Sequence, residues 1–464
     1  MKCRHFLFPA FLLLASAADG QDWTRFRGSN GSGISNASGF PVEFNQTKNL
    51  LWRTAVRPGK SSPVLSRRHV FLTALDRGKL FTQCFDRQTG KLLWERAVDR
   101  ARAEPAHPLN HSAAITPVTD GELVYSFFPE FGLIAYDAAG RERWKVPLGP
   151  FSNENGHSSC PIIAGDNVIV VLDQMVDSFV AAFDRRNGEM RWKIPREEKD
   201  GYATPLPYQP KGAPPVLITA SRGQLGAHRV HDGARLWSWK KLSASEVASP
   251  ILMNDTLFTF GYGNDQASPF SAQLRKFDRN QDGKLTPDEY GEDAYLKGVG
   301  LFVGNRDGVV TQEKFDFRQN MSVAPSSLLA IQMQPDPAAI PREVWRYEKS
   351  FVAVVPSPLY YSGVLYVLKN GGVFTSFDPK TGGVGKAGRI EGALSGYTAS
   401  PVAAEGRIYV ASEEGKVAVL KAGAEWDVTR INDLGEDIYA TPALEDGSIY
   451  LRTNEALYRF GLTH

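Results

Sequence analysis

The twelve residues from Asp278 to Glu289, DRNQDGKLTPDE, carry a complete set of oxygen donors at metal-ligating spacing. Asp278, Asn280 and Asp282 place side-chain oxygens at positions 1, 3 and 5, and Gly283 lets the backbone turn sharply. Lys284 at position 7 offers only its carbonyl, Thr286 at position 9 acts directly or through water, and Glu289 at position 12 supplies two oxygens. Hard donors in this order select Ca²⁺, and one ion is expected; the alternative is an acidic turn on a solvated loop. A second stretch, Val303 to Lys314, keeps Asn305, Asp307, Gly308, Val310 and Thr311 in register. It has Val303 at position 1 and Lys314 at position 12, so the ligands that matter most are missing and no second ion is expected. The two loops are expected to pair through Leu285 and Val310, with helices over Asp288–Lys297 and Glu313–Phe317.

A second set of chemically competent side chains is scattered but regular. Lys60, His111, His157, Tyr202, Glu246, Tyr397 and Tyr439 each stand a few residues before a Ser/Thr-Pro or Cys-Pro step. Gathered around one channel, such a set could bind a small molecule or move protons. It could equally line a wet channel, and no nucleophile with a base at a recognisable spacing stands out.

The element that would gather them is a repeat. The steps fall at Ser62-Pro63, Thr116-Pro117, Cys160-Pro161, Thr204-Pro205, Ser249-Pro250, Ser357-Pro358, Ser400-Pro401 and Thr441-Pro442. Their prolines are 41–54 residues apart except across Pro250 to Pro358, which is about twice as long and contains the oxygen-rich loops. Within a unit such as Ser158–Trp192, short apolar and β-branched runs alternate with Gly/Asn/Asp turns, which predicts four strands. Proline suits the first residue of a strand, where its missing N–H costs little. Repeats of this length and strand number predict a β-propeller, here with eight blades. The last unit, Thr441–Phe460, lacks a closing strand, whereas Leu50–Ala55 reads as a closing strand with no blade of its own. The N-terminal strand is therefore expected to complete the last blade and remove two free sheet edges.

Most units end on an Asp, a Gly-containing turn and a Trp: CFDRQTGKLLW (84–94), AYDAAGRERW (135–144), AFDRRNGEMRW (182–192) and VHDGARLW (230–237). This resembles the A-x-D-x-x-T-G-x-x-x-W signature of pyrroloquinoline-quinone (PQQ) repeats, and the chain outside the insertion resembles the BamB-like, quinoprotein-dehydrogenase-like propellers. That likeness implies that Trp94, Trp144, Trp192 and Trp237 dock one blade onto the next. It implies a non-catalytic scaffold for a protein or peptide partner in the cell envelope. The alternative it implies is a periplasmic PQQ-dependent oxidoreductase acting on alcohols or sugars. For PQQ the chain offers no adjacent cysteine pair and no C-x-x-C-H haem site. The Asp278–Glu289 loop likewise resembles an EF-hand loop, with Val303–Lys314 as its degenerate partner.

Lys2 and Arg4 precede an apolar run, Phe6–Leu14, and an Ala15-Ser16-Ala17 cleavage pattern, so residues 1–17 read as a signal peptide. The run is too short to span a bilayer, Cys3 precedes it, and a periplasmic or secreted monomer is expected. A net charge of +2 gives no reason to expect a nucleic-acid partner. Cys84 and Cys160 read as small buried hydrophobes in non-equivalent strands, not as a disulfide. The expected organisation is an all-β, eight-bladed propeller. Residues 18–55 form a strap and closing strand, 56–261 blades one to five, 262–325 a small α-helical EF-hand insertion in blade five, and 326–464 the remainder.

Overall fold

The computed structural model describes residues 23–463 apart from 105, 154, 200, 244–246, 264–268, 306, 321–325 and 349–354. The signal-peptide reading and Glu246 lie outside the described residues. Eight antiparallel four-stranded sheets surround one axis, each meandering from an inner to an outer strand. In blade three the strands are Ile162–Ala164, Asn167–Leu172, Phe179–Asp184 and Met190–Pro195. The middle strands are buried along almost their whole length because neighbouring blades cover both faces. On the outer strand only Trp192 is fully buried, so that strand alone alternates between apolar-in and polar-out.

The final blade closes as the unmatched ends require. Leu50–Ala55 runs antiparallel to Ala456–Phe460, with Ala55 opposite Ala456 and Leu50 opposite Phe460. Every inner and middle strand of that sheet comes from the C-terminal end of the chain, so neither terminus leaves an open edge.

The Asp-turn and the tryptophan are two halves of one lock between blades. The indole N–H of Trp94 donates to Ala138 O, that of Trp144 to Arg185 O and that of Trp192 to Val230 O, each in the next blade's last turn. Trp52, Trp237 and Trp345 repeat the contact onto Arg87 O, Pro337 O and Pro379 O. The turn glycine must lie flat under the ring: at Gly188 φ is 75° and a Cβ would stand 2.7 Å from the Trp144 ring. Losing one such buried ring costs about 3–5 kcal/mol. Between blades six and seven the roles swap, and Trp426, in the turn of blade seven, reaches back to Lys386 O.

The stretch from Trp23 to Ser35 crosses the far ends of the inner strands. Trp23 O and Thr24 O accept from the amides of Leu65 and Thr119 in blades one and two. Gly33 O accepts from Ala403 N, and Ser35 N donates back to Ala403 O, in blade seven. Its tight course depends on Gly28, with φ 68°, whose missing Cβ leaves space for the Trp23 ring at 2.7 Å. One end of the central channel is thereby sealed.

Blade five is interrupted between Thr256–Gly261 and Ser327–Gln332 by a helical insertion, on the same face as the loops that join one blade to the next. It contains α1 (Phe270–Phe277), α2 (Pro287–Tyr290), α3 (Ala294–Phe302) and α4 (Gln312–Asn320). The helix expected over Asp288–Lys297 is split into α2 and α3, because Gly291 at φ 54° ends the first. The insertion has its own core of Phe270, Leu285, Tyr290, Leu296, Val299, Val310 and Phe315, completed by Met175 of blade three.

Candidate functional site

The open end of the channel is a funnel of about 360 Å³ with Phe26 of the strap among its lining residues. Its waist is built from the residues that precede the prolines. Each gives its oxygen to a backbone amide of the preceding blade. Ser62 N donates to Thr116 Oγ1, Cys160 N to Thr204 Oγ1, Thr204 N to Ser249 Oγ, and Ser249 N to Ser357 Oγ. Ser357 N, Ser400 N and Thr441 N continue the chain onto Ser400, Thr441 and finally Ser62, all seven bonds being 2.9–3.1 Å long. At the eighth position the Cys160 thiol donates to Ser158 O at 3.7 Å, and its sulfur lies beside Thr116 and Thr204. Proline at the next position supplies no competing N–H, which is why the pair recurs as a unit. Cys160 is buried and unpaired with Cys84, as the sequence suggests, but it is a hydrogen-bonded member of this ring and not merely a small hydrophobe. Burial pushes its thiol pKa up, against the hydroxyls and amide beside the sulfur.

Above the ring, Lys60, Tyr202 and Tyr439 line the funnel. The Lys60 ammonium stands 4.1 Å from the Tyr439 ring centroid and donates to Leu109 O. Partial burial lowers its pKa, with Glu413 opposing. The Tyr202 hydroxyl accepts from Asn155 Nδ2 at 2.9 Å.

His111, His157 and Tyr397 are not among the lining side chains. His111 folds back to accept from the Ala113 amide, and burial together with Arg452 and Lys60 pulls its pKa to about 4. His157 is 2% exposed, packs edge-on against Phe151 at 4.9 Å, and has both ring nitrogens without a partner. Burial first, then Arg102, brings its pKa to about 4, so it is neutral at pH 7. Tyr397 is buried and donates to Ala393 O. Polar lining side chains absent from the sequence reading include His107, Asn110, Asn155 and Thr398, all on loops between blades. Those loops show no periodic pattern; only the repeated hydroxyl before proline could have pointed to the ring.

On the insertion, the two loops are joined by an antiparallel bridge in which Leu285 and Val310 exchange both backbone bonds at 2.9 and 2.8 Å. In the first loop the oxygens at positions 1, 3, 5 and 12 turn onto loop amides. Asp278 Oδ2 accepts from Gly283 N at 3.0 Å, Asn280 Oδ1 from Asp282 N, and Asp282 Oδ1 from Lys284 N. Glu289 bridges the ends of the loop, Oε1 accepting from Arg279 N and Oε2 from Thr286 N and Thr286 Oγ1. These bonds hold its carboxyl pKa below the usual range. Thr286 and Glu289 form a capping box at the start of α2. In the second loop Lys314 Nζ lies 2.7 Å from both Asp307 Oδ1 and Val309 O. Among the described residues no three His, Cys, Asp or Glu side chains cluster closely enough to form a metal group by themselves. The donors of the first loop are nonetheless all oxygen, which suits a hard cation.

The sequence over residues 37–238 and 338–463 matches the family model described as outer membrane protein assembly factor BamB. No curated protein matches the chain. Among solved structures, BamB from Moraxella catarrhalis superposes with a TM-score of 0.56 at 13% identity, over 89% of this chain and 100% of that one. The computationally designed Ika8 protein gives 0.54 at 11% identity, over 89% of this chain and 99% of that one. A europium-containing methanol dehydrogenase gives 0.42 at 10% identity, over 87% and 90%. At these identities the structural likeness is one of fold. The family match covers most of the chain, leaving out residues 1–36 and 239–337, the latter holding the insertion and three strands of blade five, and on it the protein belongs to the PQQ-repeat, BamB-like family of β-propellers.

Proposed function

We propose that this protein is a non-catalytic scaffold of the cell envelope, exported by its N-terminal segment, which holds a protein or peptide partner on the funnel face. The observation that supports this is its one-sided construction. The strap seals one end of the channel, and the long loops and the helical insertion all rise on the other. Exposed apolar side chains stand there, with Leu109 and Leu394 on loops between blades and Tyr262, Tyr295, Leu301 and Phe317 on the insertion. Apolar groups set on a polar rim are what a protein partner buries. The family's description as an outer membrane assembly factor agrees with this reading. Among the described residues no helix is long and apolar enough to cross a membrane.

The insertion is, on the same proposal, an EF-hand pair holding one Ca²⁺ at Asp278, Asn280, Asp282, Lys284 O, Thr286 and Glu289. A bound ion would stabilise the folded insertion by linkage and so fix the apolar groups it displays.

A photo-crosslinking amino acid at Leu109 or Tyr295, compared with one at Glu122 on the sealed face, tests the scaffold reading. A single envelope protein captured from both funnel-face positions and not from Glu122 is expected. Equal capture from both faces would remove the reading. Stoichiometric PQQ uptake with dye reduction, followed by absorbance and Trp fluorescence with calcium present, would replace it with the oxidoreductase alternative.

A further inference from the structure

Each hydroxyl in the waist of the funnel has its oxygen occupied by an amide, which leaves the question of its proton. For Ser62, Ser249, Ser357, Ser400 and Thr441 no acceptor is found among the described residues, and all five line the cavity. Thr116 and Thr204 differ, because their hydroxyls lie beside the Cys160 sulfur. A hydroxyl that already accepts from an N–H is polarised toward stronger donation. Five such donors around one axis suit a guest that only accepts.

The charge beneath the ring has the matching sign. Arg25 and Arg27 rise from the strap, 8% and 0% exposed. Their guanidinium groups donate to Pro205 O at 3.2 Å and Pro358 O at 2.8 Å, the carbonyls that directly follow ring members Thr204 and Ser357. Neither forms an ion pair among the described residues, and Nε of Arg25 and both Nε and Nη1 of Arg27 have no partner. Burial without an acid lowers their pKa values to about 10 and about 9, so both stay charged at pH 7. Arg452, 1% exposed, is also held only by neutral oxygens, those of Arg57, Ser61 and Thr73. Buried cations without counter-ions are costly, and a negative guest on the axis would offset that cost.

We infer that the funnel is an oxyanion site on the propeller axis, in which the hydroxyl ring donates to the guest's oxygens while Arg25 and Arg27 supply the opposing charge from below. The guest is a carboxylate of a small organic molecule or an inorganic oxyanion, and the site stands whether or not a protein docks on the same face. It lies within one channel, so one anion per chain is taken up.

Calorimetric titration of the purified protein with oxalate, citrate, phosphate and sulfate at constant ionic strength tests this, with acetamide as the neutral control. Saturable uptake of one anion per chain, and none of acetamide, is expected. Uptake of the carboxylates alone assigns an organic guest, and uptake of phosphate or sulfate an inorganic one. The pair Ser249→Ala/Ser357→Ala is expected to weaken the uptake at least tenfold, whereas Ser249→Thr/Ser357→Thr, which keeps both hydroxyls, retains it. Absence of saturable uptake for all four anions would overturn the inference, as would an unchanged affinity in the alanine pair. If the alanine pair does not fold, Phe26→Trp puts an indole at the floor of the funnel. Its emission must then follow the binding isotherm, and a silent indole during measurable uptake places the anion elsewhere and overturns the site.

Discussion

The two twelve-residue loops of the insertion turn at the same position and differ in what balances their charge. Both turn at a glycine in position 6, Gly283 at φ 77° and Gly308 at φ 82°, and both lend one residue to the bridge between them. In the second loop an ammonium from the same chain touches the oxygens of positions 5 and 7, Asp307 and Val309, and Lys314 is only 9% exposed. In the first, the corresponding oxygens are Asp282 and the Lys284 carbonyl, and the insertion's ion pairs among the described residues lie elsewhere, at Lys297–Glu292 and Lys314–Asp307. A loop rich in acceptors needs a cation. One loop carries it on a side chain, and on our proposal the other takes it from solution. The residue that disqualifies the second loop as a metal site is thus what lets it hold its shape without one.

The most demanding way to break this comparison is to make the loops alike. Val303→Asp with Lys314→Glu restores positions 1 and 12 and removes the internal ammonium. Calcium stoichiometry by calorimetry is expected to rise from one to two per chain; a ratio that stays at one would show that Lys314 is not a stand-in for an ion. A smaller change acts on the first loop alone. Glu289→Gln removes the charge of the bidentate ligand and is expected to weaken calcium binding at least tenfold, about 1.4 kcal/mol. Unchanged affinity would end the calcium assignment. The gentlest probe is Lys314→Met. Lys314, as hydrogen-bond donor, is the first cause of an Asp307 pKa of about 2. Because that value is depressed in the folded state, the contact stabilises above the ordinary carboxylate range and is lost as pH falls toward 2. In the variant the Asp307 carboxyl carbon is expected to titrate at a higher pH, toward the unperturbed value of about 3.9. The insertion should then give way at a higher pH than in the wild type. A titration that does not move would mean that Asn305 and the Val309 amide hold the carboxylate unaided.

How far these features were readable depends on the distance over which each acts. The blade count followed from Ser/Thr-Pro steps because each opens a strand within its own unit, and ring closure followed from one strand too many at one end and one too few at the other. The function of the same hydroxyls was invisible, since Thr204 Oγ1 meets Cys160 N across 44 residues and no local pattern encodes that contact. Lys60, Tyr202 and Tyr439, at that offset from proline, line the funnel. The rings of His111 and His157 do not, because the loops between blades are long enough to coil and turn them onto local backbone or into packed apolar surroundings. The swapped lock at Trp426 escaped for a related reason: an indole can cross the same interface from either blade, and the sequence does not say which side contributes it.

The strap and the closing strand are one continuous stretch, with a consequence for the order of events. Arg53 meets Tyr458 across 405 residues, so the stretch cannot be locked until almost all of the chain has been laid down. Contacts so remote in sequence form late. Until then the assembling molecule is a gapped ring with an open bore; the same segment, once seated, turns the bore into a cup. A guest that stays in the funnel would therefore certify a finished molecule, because before closure the funnel has no floor.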